Sequence, residues 1–318
     1  MAHEQRPIRT LTLPTEDLLE AVSPLPEGIR AGVWDLSGEP KGVDYAEIDG
    51  VVLPYASGAD WADGLSRVPG LKMIHAQSTG YDGLPEMVGP DVAIVSAAGV
   101  HAAATAELAL TLMLASLRGV DAAVRHEGTG TWDSRRWPGL ADRKVLLVGV
   151  GGIGREIAAR LLPFDVELTR VGSTARTDEH GTVHGTADLV RLAEQAEVLV
   201  VITPLTEQTK HLIDARVLAA LPDGALVVNV ARGAVVDSAA LTAEVVSGRL
   251  KAALDVFEPE PMPADHPLWR APNAIITPHV GGNTEAFVPR IAKLLREQIA
   301  RLARGEEPVN LVRRGPWA

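Results

Sequence analysis

The chain has 318 residues, of which 46% are hydrophobic and 22% charged, a composition typical of a globular protein with about two domains. Its net charge of −11 at pH 7, without any cluster of Lys and Arg, argues against a nucleic-acid-binding face. The absence of cysteine excludes disulfides, thiolate metal ligands and a cysteine nucleophile. No signal-peptide core opens the chain and no apolar run reaches the roughly 20 residues of a membrane span, so we expect a cytoplasmic protein that contacts no membrane.

Short apolar segments alternate with helical patterns over residues 1–98. Thr15, followed by two acidic residues, predicts the start of a helix. Strands separated by helices predict a parallel sheet covered by helices. The predicted strands of this region are 11–13, 29–36, 50–53, 71–76 and 92–96.

The longest helical pattern of the first half covers residues 100–118. It is apolar nearly all round, which is typical of a buried helix such as one between two domains. The following segment, 121–142, has no clear periodicity. We interpret it as an irregular segment on the protein surface and a candidate subunit contact.

A glycine-rich turn follows the apolar strand 145–148 and precedes a helical pattern over 155–162. In the dinucleotide-binding fingerprint, Gly149 permits the tight turn, Gly151 lets the backbone approach a pyrophosphate, and Gly154 lets the helix pack closely on the strand. The flanking strand and helix make this motif specific. We therefore predict a cofactor site that includes Gly149, Gly151, Gly152, Ile153 and Gly154.

The rest of the chain continues the alternation and ends in a long helix, 285–304, which we expect to return to the first domain. Six strand candidates between 145 and 277 predict a complete doubly wound nucleotide-binding domain over 99–284, with 1–98 and 285–318 forming the other domain. The later strands are 166–171, 198–202, 225–230, 250–256 and 275–277, with helices at 186–196, 214–221 and 238–246.

Ligands of open parallel sheets bind beyond the carboxyl ends of the strands, so the polar residues there are the site candidates. Arg232 has a rigid fork of donors that suits a carboxylate or carbonyl oxygen. His279 can give a proton to that oxygen, and Glu260 can bond the far ring nitrogen of the histidine. Each residue also has an ordinary interpretation as a solvated or packing group, and Glu258 is an alternative to Glu260.

The remaining histidines offer no comparable setting, although His101, at the start of the buried helix, is ambiguous. No metal-ligand spacing occurs, and we expect no metal site. Thr203 and Pro204 follow the strand 198–202 and are further candidates for cofactor contact. Substrate specificity is expected from residues of the outer domain, formed by 1–98 and 285–318, that face the cleft, for which the candidates are Leu53, Tyr55 and Trp269.

Four motifs occur in order along the second half: Leu205-Thr-Glu-Gln-Thr, Asn229-Val-Ala-Arg-Gly-Ala-Val-Val-Asp, Ala253-Leu-Asp-Val-Phe-Glu-Pro-Glu-Pro and Thr277-Pro-His-Val-Gly-Gly. With them, essentially the whole chain resembles the D-isomer-specific 2-hydroxy acid dehydrogenases. The resemblance implies an α/β fold of two Rossmann-like domains with doubly wound parallel sheets, joined by long buried helices, the outer domain being built from both chain ends. It also implies a homodimer joined through the nucleotide domains.

The resemblance places the catalytic residues of the family on Arg232, Glu260 and His279. It places the contact to the nicotinamide amide on Asp255. The backbone loop that binds the substrate carboxylate falls on Ser78, Thr79 and Gly80, which together with Arg232 form the expected substrate site.

The chain departs from the commonest form of the fingerprint at the end of the second nucleotide-domain strand. NAD-dependent members resemble the general fingerprint in having an acid there, whereas this chain has Gly172, followed by Ser173, Thr174 and Arg176. Glu167 lies too early and Asp178 too late to replace it. Hydroxyl groups and an arginine suit a 2′-phosphate, so we expect NADP(H) as the preferred cofactor, with NAD(H) possible.

The leading hypothesis is therefore the reduction of a small 2-keto acid of the glyoxylate or hydroxypyruvate type. A phosphoglycerate dehydrogenase is a second hypothesis, weakened because no regulatory domain follows and no Arg/Lys cluster occurs in 50–82. A third is a nucleotide-sensing scaffold similar to the corepressor relatives of the family. The formate-oxidising branch resembles the chain less, because it lacks the acid that Glu260 supplies.

Overall fold

A computed structural model describes residues 7–55 and 61–317 of the protein. The chain divides into two compact units, Met1–His101 with Glu285–Ala318, and Ala102–Thr284. The sequence places the domain boundaries at 98/99 and 284/285. The roles assigned to the two domains stay predictions.

The described residues form fourteen strands and ten α-helices. The strands are β1 (Thr10–Leu13), β2 (Arg30–Val33), β3 (Gly50–Val52), β4 (Met73–His75), β5 (Ala93–Val95), β6 (Lys144–Val148), β7 (Glu167–Gly172), β8 (Arg176–Asp178), β9 (Gly181–Gly185), β10 (Val198–Val201), β11 (Leu226–Asn229), β12 (Lys251–Leu254), β13 (Ala274–Ile276) and β14 (Leu311–Arg313). The helices are α1 (Glu16–Val22), α2 (Trp61–Ser66), α3 (Leu84–Met87), α4 (Ala102–Leu117), α5 (Val120–Glu127), α6 (Gly152–Leu161), α7 (Leu189–Ala193), α8 (Ala215–Ala220), α9 (Ser238–Val246) and α10 (Phe287–Ala303).

The first unit contains a six-stranded sheet in the order β14-β5-β4-β3-β1-β2. All its strand pairs are parallel except β14 with β5. Successive residues of a strand point to opposite faces, so Met73 packs with α1 and α10 while Ile74 packs with α2 and α3. Thr15 caps α1 as predicted, accepting a hydrogen bond from the backbone N–H of Leu18. The long C-terminal helix α10 covers this sheet, as expected.

The second unit contains an eight-stranded sheet in the order β13-β12-β11-β10-β6-β7-β9-β8. Its pairs are parallel apart from β8 with β9. Helices α4 and α6 cover one face, and α7, α8 and α9 cover the other. The chain reverses its direction of winding at β6, and the carboxyl ends of β6 and β10 meet at this switch point, where such sheets bind ligands. The predicted fold class of two doubly wound parallel sheets is confirmed.

Four elements differ from the sequence prediction. Residues 121–142 were expected to be irregular, but α5 occupies the start of that segment. Strands β8 and β9 form a hairpin beside β7, and β14 pairs with β5, where no strands were predicted. Each is a short segment without a long apolar run, and its structure depends on pairing with a sheet edge or packing on a neighbouring helix.

Candidate active site

The glycine turn between β6 and α6 is held by contacts too close for any side chain. Gly149 has a φ of +115°, and a Cβ on it would lie 2.5 Å from the carbonyl oxygen of Ile202. A Cβ on Gly154 would lie 2.1 Å from the carbonyl oxygen of Gly149. These two glycines therefore fix α6 against the strand ends, as the fingerprint predicts.

The other two glycines of the turn face open space. A Cβ on Gly151 or Gly152 would meet no heavy atom within 4 Å. Gly151 is the N-cap of the ten-residue helix α6 and makes no side-chain hydrogen bond, so the first N–H groups, at the positive end of the helix, have no partner within it. The side chain of Ile153 packs against the core, and its expected contact with a cofactor stays a prediction. The turn thus fits the pyrophosphate of a dinucleotide.

The end of β10 adds a polar atom to the same edge of the sheet. Thr203 follows this strand, and its Oγ1 is shielded from solvent with no hydrogen-bond partner among the residues that the structure describes. The neighbouring Pro204 is exposed, and its carbonyl accepts a hydrogen bond of 2.6 Å from Thr209 Oγ1. An orphaned hydroxyl beside the glycine turn is consistent with a bound cofactor.

A guanidinium lies close to Gly172, the position at which an acid is expected in an NAD site. Gly172 is the last residue of β7, and a Cβ on it would lie 3.0 Å from Nη1 of Arg176 and from Cγ1 of Val183. Arg176 begins β8 rather than lying in a loop, and its Nη1 donates to the carbonyl of Thr174 at 3.3 Å. Ser173 and Thr174 are exposed beside it.

The first acid after Gly172 along the chain, Asp178, is already paired. Arg170 donates to both of its carboxylate oxygens, at 2.8 and 3.1 Å, and these hydrogen bonds lower the pKa of Asp178. The end of β7 therefore presents positive charge and hydroxyl groups.

His279 and Glu260 are in direct contact. Nδ1 of His279 lies 2.6 Å from Oε2 of Glu260, and Oε1 of the same carboxylate accepts a 2.8 Å bond from the backbone N–H of Phe257. The hydrogen bond to Glu260 raises the pKa of His279, although burial opposes it. Burial would raise the pKa of Glu260, but the bonds from His279 and Phe257 outweigh burial and lower it. The raised pKa of His279 and the lowered pKa of Glu260 both favour the charged forms of the two side chains.

The alternative acid, Glu258, points elsewhere. Its Oε2 lies 3.5 Å from Nε2 of His211. Of the two acids that the sequence left open, Glu260 is the one that contacts His279.

Asp255 organises the turn that carries His279. It is 1% exposed, and its carboxylate accepts from Thr277 Oγ1 at 2.5 Å and from the N–H groups of Val280 and Gly281 at 2.9 and 2.8 Å. The N–H of His279 bonds the carbonyl of Asp255 at 2.8 Å. His279 itself has a φ of +53°, an unfavourable conformation for a non-glycine residue that these bonds sustain. The expected contact of Asp255 with a nicotinamide amide remains a prediction.

Arg232 lies at the end of β11, beside the segment that carries Glu260. Its Nη1 donates to the carbonyl of Ala231 at 2.7 Å. Its positive charge adds to the lowering of the pKa of Glu260 and opposes the rise in the pKa of His279 that the hydrogen bond to Glu260 causes. A Cβ on the next residue, Gly233, would lie 1.8 Å from the carbonyl oxygen of Phe257. The backbones that follow β11 and β12 are therefore in direct contact.

The predicted carboxylate loop follows β4 in the first unit. Ser78 Oγ donates to the carbonyl of Gly80 at 2.6 Å, which closes a tight turn. Thr79 Oγ1 is shielded from solvent and has no hydrogen-bond partner among the described residues. The loop thus holds a polar group available to a ligand.

Two of the three specificity candidates are corrected by the structure. Leu53 has no exposed surface and packs in the core of the first unit, so its side chain does not face a ligand. Trp269 belongs to the second unit rather than to the outer domain, and its Nε1 donates to Pro263 at 2.9 Å. Tyr55 is partly buried and stays a candidate.

Two contributors were missed by the sequence analysis. Phe257 supplies a backbone N–H to Glu260, and Thr277 supplies a hydroxyl to Asp255. Both residues lie inside the quoted motifs. Their position next to the charged residues is the sequence feature that could have identified them. In residues 7–55 and 61–317 no group of three or more His, Asp or Glu side chains is arranged to hold a metal ion.

Residues 110–281 match the family model of the D-isomer specific 2-hydroxyacid dehydrogenase NAD binding domain. The chain is 34% identical over 263 residues to a glyoxylate reductase from Thermofilum pendens, which covers 79% of this chain and 77% of the relative. It is 31% identical over 257 residues to a D-3-phosphoglycerate dehydrogenase from Methanocaldococcus jannaschii, covering 79% of this chain but 49% of that relative.

Among solved structures, the fold is similar to an NADPH-dependent glyoxylate/hydroxypyruvate reductase from Sinorhizobium meliloti in complex with NADP and malonate. The TM-score is 0.79 at 28% identity, and the match covers 98% of both chains. With the glycine turn, the paired histidine and glutamate and the family model in agreement, the chain belongs to the D-isomer-specific 2-hydroxyacid dehydrogenases, NAD(P)-dependent oxidoreductases that act on CH–OH donors.

Proposed function

We propose that the protein reduces a small 2-keto acid of the glyoxylate or hydroxypyruvate type to the D-2-hydroxy acid, with NADPH as the preferred reductant. The observation that carries this proposal is the 2.6 Å pair of His279 and Glu260 beside Arg232. During reduction of a 2-keto acid, a protonated imidazole can give a proton to the carbonyl oxygen. A guanidinium can bind the carboxylate.

In this proposal the bound nicotinamide cofactor supplies the hydride, and the protein manages the proton and the charges. His279 gives the proton from Nε2 to the substrate oxygen as negative charge develops there, while Glu260 holds Nδ1 and favours the protonated ring. Arg232 orients the substrate through its planar fork. Ser78, Thr79 and Gly80 bind the substrate carboxylate.

The glycine turn would hold the cofactor, Thr203 and Pro204 would contribute further contacts, and Asp255 would contact the nicotinamide amide. The preference for NADPH rests on the end of β7. An acid at position 172 would hold the ribose hydroxyls of NAD, but the Arg176 guanidinium stands 3.0 Å from the place of its Cβ. Arg176, Ser173 and Thr174 suit the extra phosphate of NADPH because they offer charge-assisted and hydroxyl hydrogen bonds.

The relatives support the substrate class. The glyoxylate reductase of T. pendens aligns over most of its own length, and the S. meliloti enzyme is named for glyoxylate and hydroxypyruvate. Phosphoglycerate dehydrogenation is the second candidate, because the M. jannaschii enzyme is 31% identical. The match covers 79% of this chain and 49% of that relative.

Initial rates with glyoxylate, hydroxypyruvate and 3-phosphohydroxypyruvate, each with NADPH and NADH, test the proposal. We expect the highest kcat/KM with one of the first two acids and NADPH. His279→Ala should lower kcat about 10²- to 10⁴-fold while cofactor binding survives. A best rate with the phosphorylated acid would instead favour the second candidate, and a variant as active as the wild type would remove His279 from the proton transfer.

A further inference from the structure

His101 joins loops of the first unit that follow neighbouring strands. It is the last residue before α4 and is 6% exposed. Its Nε2 lies 2.7 Å from the carbonyl oxygen of Gln77, which follows β4. A carbonyl can only accept, so Nε2 carries the hydrogen and donates. The segments after β5 and β4 are thereby tied together inside the unit.

The ring of His101 is held by aromatic stacking. Its plane is inclined by 12° to that of Phe287, with 5.2 Å between the centroids, and by 21° to that of Tyr55 at 5.4 Å. Tyr55 and Phe287 also stack, at 4.3 Å. Tyr55 lies after β3 and Phe287 begins α10, so the stack fixes the direction of the Nε2–H bond relative to these elements.

Gln77 is the residue directly before the Ser78–Gly80 loop. Its buried side chain donates from Nε2 to the carbonyl of Leu53 at 2.9 Å. The carbonyl of Ser78 accepts a 2.8 Å bond from the N–H of Ala97. With the bond from His101, the start of the loop is fixed from three directions.

We propose that His101 is a positioning residue that holds the Ser78–Gly80 loop in the conformation that binds the substrate carboxylate. The proposal rests on the function proposed for that loop. In this proposal His101 acts through Gln77 and not by direct contact with the substrate. Its loss should therefore weaken substrate binding while proton transfer from His279 and cofactor binding continue.

Four variants separate the hydrogen bond from the stack. His101→Phe keeps a planar ring but has no donor, and His101→Leu removes donor and ring. His101→Gln keeps a donor at a similar distance from the backbone. The matched control, Phe287→Leu, removes a stacking partner and leaves Nε2–H in place.

We expect His101→Phe to raise KM for the 2-keto acid about 3- to 10-fold, the range for losing one buried hydrogen bond, with kcat and KM for NADPH within about twofold. His101→Gln should restore most of the loss, and Phe287→Leu should have the smaller effect. An unchanged KM for the keto acid, or a parallel loss of kcat and cofactor binding, would overturn the proposal. If His101→Phe does not fold, His101→Leu is used for the same comparison.

Hydrogen–deuterium exchange of the peptide that contains residues 77–81 gives a measurement independent of activity. Exchange in His101→Phe should be about 3- to 10-fold faster than in the wild type, with peptides of α6 unchanged. Equal exchange in the two proteins would overturn the positioning role. A wild type that reduces no 2-keto acid would refute the proposed function, while this measurement would still decide whether His101 holds the loop.

Discussion

At the scale of single residues, His279 combines a strained backbone with a charged partner. Its φ of +53° is sustained by the buried Asp255 carboxylate, and its ring is bonded to Glu260. Strain of this kind is retained where the surroundings impose it, most often at functional sites. The ring is therefore fixed in position before any ligand binds, which suits a proton donor.

The first prediction concerns the pH dependence of reduction. In the proposed mechanism the protonated form of His279 is the active one, so the rate should fall as the pH rises through its pKa. Glu260 raises that pKa, and Glu260→Gln should lower it and move the fall of kcat to lower pH. The pH–rate profiles of wild type and variant check this. Glu258→Gln is the control, because that carboxylate faces His211, and a shift of equal size in the control would contradict the assignment.

The second prediction concerns Arg176. Arg176→Ala should weaken NADPH binding about 10- to 150-fold, the range for charge-assisted hydrogen bonds, and leave NADH binding nearly unchanged because NADH has no 2′-phosphate. Fluorescence titration with both cofactors measures this. Arg216→Ala, at another exposed arginine, is the control and should affect neither. Equal losses of affinity for the two cofactors would indicate that Arg176 has a structural role. A wild type that binds NADH more tightly than NADPH would refute the phosphate site.

At the scale of elements, the site depends on how closely the strand ends approach one another. The segment after β11 carries Arg232 and the segment after β12 leads to Glu260. They meet at Gly233, where there is no room for a Cβ beside the Phe257 carbonyl. The same Phe257 donates its N–H to Glu260. Backbone packing thus sets the position of the acid.

The third prediction follows from this contact. Gly233→Ala should force Phe257 away and disturb its bond to Glu260, lowering kcat and costing about 1–3 kcal/mol of stability as overpacking does. Activity assays and thermal unfolding measure the two effects. Gly89→Ala is the control, because a Cβ there meets nothing within 4 Å. A Gly233→Ala protein as stable and as active as Gly89→Ala would contradict this prediction. It would show that the backbone segments after β11 and β12 can move apart without loss of stability or activity.

At the scale of the whole molecule, an apolar surface of the second unit has no partner among the described residues. Val120 and Val124 of α5 are 51% and 61% exposed, and Trp132 is 94% exposed. Exposed apolar groups that lie close along one segment are typical of a protein–protein contact. The sequence interpretation of this segment as a candidate subunit contact is consistent with them, and the homodimer remains a prediction.

The fourth prediction concerns this surface. The wild type should have a solution mass of about twice 33.7 kDa, and the double variant Val124→Glu, Trp132→Glu should shift it toward the monomer because buried charges oppose association. Light scattering after gel filtration measures the mass. Val246→Glu, at a residue 57% exposed on α9, should remain dimeric. A monomeric wild type would refute the dimer.

No single helix in the described ranges 7–55 and 61–317 is long and apolar enough to cross a membrane. Among the helices that the structure describes, the pair α4 and α5 meets that test together, with a bend of 66° between them. Much of α4 is buried in the second unit, where it packs with α6, β11 and β12.

The sequence by itself determined the features that depend on neighbouring residues along the chain. The apolar runs predicted β6, β10 and β11, and the glycine spacing predicted the turn before α6, because strand alternation and glycine conformation are local properties. The positions of Arg232 and His279 at strand ends followed from the same pattern. The order of the four motifs identified the family.

Only the tertiary structure decided features that depend on residues distant in the chain. It showed that Glu260 rather than Glu258 contacts His279, that Leu53 lies in the core, and that Arg176 stands over Gly172 in a strand. It also formed the β8–β9 hairpin and β14, whose short sequences carry weak local preferences. The physical reason is the same in each case: side-chain direction and edge-strand pairing are set by packing between segments, and a one-residue shift in a loop or strand turns a side chain to the opposite side.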